Sequence, residues 1–293
     1  MRAVQVTSWR GRRAAAVEND DLRVTVLVEG GHIAEVLDKR TGINPLWSPP
    51  WNSIEPSAFD AAVHGDLFGH GSDAQLLAGI AGHNLCVDIF GGPSAEEAAA
   101  GLTAHGEGSV VAYDVTASGG SLCMRADFPL ARIRFERRLE LDGSTVQVEE
   151  QVESRCGVDR PIGWTQHVTL GPPFLEKGST EFRASATRSR TFEEPFGAAD
   201  YLVPAADFDW PSPPRSDGGV ADLRRFTNAV TSSAYTAHLM TDAGDTAFLV
   251  AFSPSARLAF GYVWHPSDFP WLGIWEENRS RPAAPWNGLT IAR

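Results

Sequence analysis

The sequence predicts an all-β protein: one domain over residues 1–293, a large antiparallel β-sandwich with one or two short helices. Three observations carry this expectation. Short segments alternate apolar and polar residues between Gly, Pro, Asn or Asp. Helical patterns are scarce, and no internal repeat or composition break marks a linker. With 43% hydrophobic residues, the chain can also bury a substantial core.

"LRVTVLVEGG" and "HIAEVLDKRTG" read as two strands around a Gly-Gly turn, closed by a second turn at Thr41-Gly42. "SVVAYDVTASGGSLCMRADF" is a hairpin around Ser118-Gly119-Gly120. "ARIRFERRLELDGSTVQVEEQVES" gives two long strands around Asp142-Gly143, the strongest hairpin signal in the chain. Further strands are expected at 162–170, 180–186, 234–241, 246–253, 256–264 and 271–276. "SAEEAAAGL" (94–102), with a Ser cap and an acidic first turn, predicts one short helix. Residues 43–80 and 191–230 read as long loops, which in a compact domain usually wall a site.

The formal charge of −12 argues against nucleic acid and anionic membranes as partners. No window is apolar enough to span a membrane, and "MRAVQVTSWRGRRAAAVEND" lacks the apolar run of a signal peptide. Cys86, Cys123 and Cys156 are widely spaced and odd in number, without a CxxC. That argues against disulfides or a zinc-thiolate site and fits a reducing cytoplasm. Oligomeric state is not legible.

Histidine is the side chain whose free pKa lies nearest neutrality. His105 sits in a Gly-containing turn, and His167 lies within a strand beside Trp164, Thr165 and Gln166; these two stand out from His83 and His265. Each could equally be a hydrogen-bonded core histidine. His64 and His70, near Asp66 and Asp73, match no zinc spacing and read as a polar loop. "FPWLGIWEENRSR" is an aromatic strand ending in Glu276 and Glu277, which alternation puts on opposite faces. A carboxylate there is a candidate general base, or simply a strand end entering solvent with Glu277 paired to Arg279. In "ARIRFERR", Arg132, Arg134, Glu136 and Arg138 share one face, as on a solvated strand, so a phosphate site is not expected. No GxSxG elbow, Walker loop or dinucleotide fingerprint is present. Trp47, Trp51, Trp164, Trp264, Trp271, Trp275 and Trp286 fall largely in loops and at strand ends, some as core and some suited to stacking on a pyranose ring.

Taken in order, "VEGGHIAEVLDKRTGINPLW", "LTAHGEGSV", "FERRLELDGSTVQVEEQVESRCGVDRPIGWTQHVTLGPPFL" and "FPWLGIWEENR" resemble the galactose mutarotase-like, or aldose 1-epimerase, superfamily. The resemblance implies a supersandwich that takes a small-molecule sugar and needs no cofactor or metal. It implies that His167 is the general acid on the ring oxygen and Glu276 the base on the anomeric hydroxyl, with Glu277 as the rival base. His105 would bind the sugar, and His83, Trp164, Gln166, Glu277 and Trp275 are further candidate substrate contacts. The alternatives are a non-catalytic carbohydrate-binding protein, or a lyase or epimerase acting on a modified sugar. The family's "N-H-x-Y-F-N" surround is here "Q-H-V-T-L-G", so its loop contacts do not transfer.

Overall fold

In a computed structural model, the described residues are 5–118, 120–240 and 244–293. Gly119 of the expected hairpin turn, the first four residues and residue 241 of an expected strand lie outside them. The chain divides into two compact units, 1–169 and 170–293. Every ladder between named strands is antiparallel.

The first unit contains β1 (Gln5–Trp9), β2 (Arg12–Glu18), β3 (Leu22–Leu27), β4 (Ile33–Asp38), α1 (Ala61–Phe68), α2 (Ala74–Gly79) and β5 (His83–Val87). It continues with α3 (Ala95–Ala99), β6 (Asp114–Ser118), β7 (Ser121–Phe128), β8 (Ile133–Asp142), β9 (Thr145–Ser154) and β10 (Trp164–Val168). One sheet has the order β1-β2-β3-β4-β5-β10 and the other β6-β7-β8-β9. Period-two alternation builds the second sheet. Leu122, Met124, Ala126 and Phe128 of β7 and Ile133, Phe135 and Leu139 of β8 are buried. The intervening Arg125, Arg134 and Arg138 pair with Glu136, Asp127 and Glu140 at the surface, as the "ARIRFERR" pattern predicts. Asp142 faces Thr145 across the turn, with Gly143 at φ 54° where a side chain would be strained.

Two departures concern the segment 43–80, expected as loop. It holds α1 and α2, so the described residues contain three short α-helices. Asp60 caps α1 by accepting from Ala62 N–H, but Gly65 inside that helix weakens its propensity signal. Five of the six residues of α2 are buried, so it shows no amphipathic stripe to read. The predicted helix at 94–102 is α3, with a complete capping box between Ser94 and Glu97.

The second unit contains β11 (Glu181–Ala184), β12 (Arg188–Thr191), β13 (Asp207–Asp209), β14 (Ser232–Leu239), β15 (Ala247–Ser253), β16 (Leu258–Trp264), β17 (Trp271–Asn278) and β18 (Ile291–Ala292). Its sheets are β11-β15-β16 and β13-β12-β14-β17-β18. No helix among the described residues is long and apolar enough to cross a membrane. The three cysteines are free.

Candidate active site

In the first unit, β10 pairs with β5 so that His167 faces Asn84, Gln166 faces Leu85 and Val168 faces His83. Directly opposed residues share a face, so His167 and Thr165 lie with Asn84 and Cys86. Trp164, Gln166 and Val168 lie on the reverse face with His83, Leu85 and Val87.

His105 reaches the His167 face from the loop after α3. Its backbone is left-handed (φ 65°), and Gly106 follows at φ 76°. A Cβ on Gly106 would collide with the Val87 carbonyl, so this position requires glycine. Two hydrogen bonds clamp the turn to Gly91: His105 N–H to Gly91 O (2.9 Å) and Gly91 N–H to His105 Nδ1 (3.1 Å). The His105 and His167 rings then lie 5.0 Å apart, with Phe90 at 5.4 Å from His105 and 6.2 Å from His167. Gly106→Ala is expected to destabilise by about 1–3 kcal/mol, through positive φ and the backbone clash. Urea denaturation measures this, and an unchanged midpoint would contradict it.

Both imidazoles are neutral at neutral pH. Burial pushes His105 down to about 3, aided by the neighbouring His167. Burial also lowers His167, against an opposing backbone hydrogen bond. The tautomer of His105 follows from its partner. His105 Nδ1 accepts from Gly91, which leaves its proton on Nε2. The Ser109 hydroxyl is shared between Leu85 O (2.7 Å) and Asn84 Oδ1 (3.3 Å), which turns Asn84 Nδ2 towards His167 Nδ1 at 3.4 Å. Two neighbouring imidazoles, with an Nε2–H donor on His105, suit a ligand bearing closely spaced oxygens.

The reverse face holds a different assembly. His83 Nε2 meets Gln166 Oε1 at 2.7 Å, and Gln166 Nε2 and Trp164 Nε1 donate to Glu150 Oε2. Arg137, 1% exposed, closes the network on Glu150 Oε1 at 2.6 Å. So His83, Trp164 and Gln166 are brought together with one another and not with the His105–His167 pair. The cause is the two-residue period of β10. A trough of about 650 Å³ over β6–β9 is lined by Asp114, Arg125, Asp127, Arg134, Glu136 and Glu153. Its arginines already pair with its own carboxylates, and it does not include the histidines.

In the second unit, Glu276 and Glu277 of β17 face opposite sides, as alternation requires, and both are buried. Glu276 accepts from Ser232 Oγ at 2.6 Å and Tyr201 OH at 3.5 Å. Burial raises its pKa above the usual 4.5, against the pull of Arg293 and the two hydroxyls. Glu277 is saturated by Ser280 N–H (2.6 Å), the Ser280 hydroxyl (2.7 Å) and Arg281 (3.2 Å). Arg281 also lies 5.6 Å over Trp275 and 4.8 Å over Trp286, tying Glu277 and Trp275 into one cluster. The surroundings of Glu276 thus raise its proton affinity.

His265 is exposed and hydrogen-bonds Asp245 O, while His70 sits 3.7 Å from Asp66. No metal-binding group of His, Cys, Asp or Glu occurs among the described residues. The residues that sequence reasoning missed are Asn84, Phe90, Ser232 and Tyr201. None has a motif of its own; strand register and loop closure place them. His32 and His238, also passed over, are core histidines. His32 lies between Ala81 N–H and Ser109 O, and His238 between Thr236 and Ser189.

No known family model and no curated protein matches the chain. Solved structures do. A galactose mutarotase related enzyme from Lactobacillus acidophilus aligns over 90% of this chain and 80% of its own, at 14% identity and a TM-score of 0.56. A putative mutarotase from Salmonella typhimurium aligns over 97% and 82%, at 12% identity and a TM-score of 0.51. The chain has a galactose mutarotase-like fold. At these identities the likeness concerns the mutarotase-like fold alone, and the antiparallel all-β reading agrees with it.

Proposed function

We propose that the protein is an aldose 1-epimerase-like enzyme that interconverts the anomers of a free sugar. The observation that supports this most is the His105–His167 pair, with rings 5.0 Å apart and the His105 proton on Nε2. In this reading His105 donates a hydrogen bond to a sugar oxygen, and His167 delivers a proton to the ring oxygen. Glu276, a carboxylate of raised proton affinity, removes the anomeric hydroxyl proton. The C1–O5 electron pair goes to the ring oxygen and the hydroxyl pair forms the C1 carbonyl. Rotation about C1–C2 and closure on the other face reverse the transfers. The net reaction consumes no proton. His83, Trp164 and Gln166 support β10 from behind, and Glu277 and Trp275 hold the Arg281 cluster.

The pH dependence tests the acid. His167 starts from a lowered pKa, so its protonated form is a minor one at neutral pH and shrinks further as pH rises. Once Glu276 is fully ionised, only His167 still titrates, and the rate should fall about tenfold per pH unit. Polarimetry of a freshly dissolved aldose measures it, corrected for the uncatalysed rate. A rate that stays flat through the alkaline range rules out His167 as the acid. Saturable sugar binding without any rate enhancement across a panel of aldoses would instead establish a binding protein.

A further inference from the structure

Strand β16 of the second unit, "LAFGYVW", is an edge strand with one ladder neighbour, β15, among the described residues. The orientation of its backbone follows from the far side of β15. Ser185 N–H donates to Phe248 O at 3.1 Å, so Phe248, and by alternation Val250 and Phe252, turn their peptide groups towards β11. Leu249 and Ala251 therefore face β16, where Tyr262 and Phe260 face back. The peptide groups of Ala259, Gly261 and Val263 are left pointing to the open edge.

The same three positions lie on an exposed apolar face. Ala259 lies opposite Phe252, Gly261 opposite Val250 and Val263 opposite Phe248. Val263 is 69% exposed and Phe252 41%. Long edges are normally protected by charge. The edge strand β9 follows that rule, with Glu149 and Glu153 along it, whereas β16 has no charged residue in a chain of net charge −12.

We propose that β16 is a homodimer interface, pairing antiparallel with β16 of a second copy about a two-fold axis at Gly261. The choice of occupant rests on the strand's own symmetry. Gly261 is the midpoint of the seven residues, so the two-fold sets Gly261 against itself and Ala259 against Val263 of the second copy. All three outward peptide groups of each copy then find partners. Phe252, Ala259, Val263 and Phe248 form a continuous apolar row across the junction. The same register brings Arg257, at one end of β16, to the end that carries Asp245 and Asp268 in the other copy, so opposite charges meet.

Sedimentation velocity and native mass spectrometry of the full chain test this. Wild type should sediment as two chains of 31.6 kDa. Two paired variants probe the register. A259K/V263K sets lysines against each other in its own dimer, and A259E/V263E does the same with glutamates. Each alone should be monomeric, with affinity about a hundredfold or more below wild type. Mixed in equal amounts, they should form a heterodimer, since every lysine then meets a glutamate. Both positions are exposed sheet sites, and far-ultraviolet circular dichroism confirms folding before each run. A monomeric wild type overturns the proposal, as does a dimer that survives in either variant alone. Variants that fail to recombine while remaining folded overturn the register and with it the proposed axis.

Discussion

Replacing His167 by alanine is expected to slow anomer interconversion by about 10²–10⁴-fold with the fold retained, and Glu276→Gln by a similar factor. The magnitude is that of a positioned proton donor or acceptor lost from the rate-limiting transfer. His167→Ala removes a half-buried ring whose protein partners are one weak hydrogen bond to Asn84 and the Phe90 and His105 rings. Its structural cost is therefore modest. Glu276→Gln keeps the shape and can still accept from Ser232, but it cannot take up a proton at neutral pH. Polarimetric rates with thermal melts as controls separate chemistry from folding. Full activity in both variants would remove these residues from the mechanism. Loss in His167→Ala alone would keep the histidine and require another base.

The largest stability effect is expected from Arg137→Ala. The guanidinium is 1% exposed, bonded to Glu150 at 2.6 Å and to Gly31 O at 3.0 Å, and lies 5.6 Å over Phe135. Removing it leaves a nearly buried carboxylate with only Trp164 and Gln166 as donors. Breaking such a pair from one side costs about 3–5 kcal/mol. Replacing both charges, as in Arg137→Met with Glu150→Leu, should recover most of that loss, because no uncompensated charge remains. Urea denaturation of both singles and the double measures the coupling. A single-variant loss under about 1 kcal/mol would mean that water reaches Glu150 and that the network does little to hold β10.

That network shows where sequence reading stopped. Alternation placed Arg137 with Ile133 and Phe135, away from Arg134 and Arg138, and the structure agrees. It could not show that Glu150 on the next strand meets Arg137, because hairpin register depends on the turn as well as the pattern. Likewise His83, Trp164 and Gln166 were candidate substrate contacts, whereas strand parity puts them on the face opposite His167. The helices α1 and α2 were illegible because one contains glycine and the other is buried almost throughout.

By itself the sequence determined the all-β antiparallel architecture, since period-two alternation between turn residues leaves the chain few other ways to bury its apolar atoms. It also determined that Glu276 and Glu277 face apart, a consequence of strand geometry alone. Tertiary structure decided the surroundings of each candidate residue. A left-handed turn clamped to Gly91 brings His105 beside His167, and cross-strand register gives His167 its Asn84 partner. Burial beside two hydroxyls, against a salt-bridged neighbour, distinguishes Glu276 from Glu277. These are contacts between residues far apart in the chain, and local pattern carries no information about such contacts.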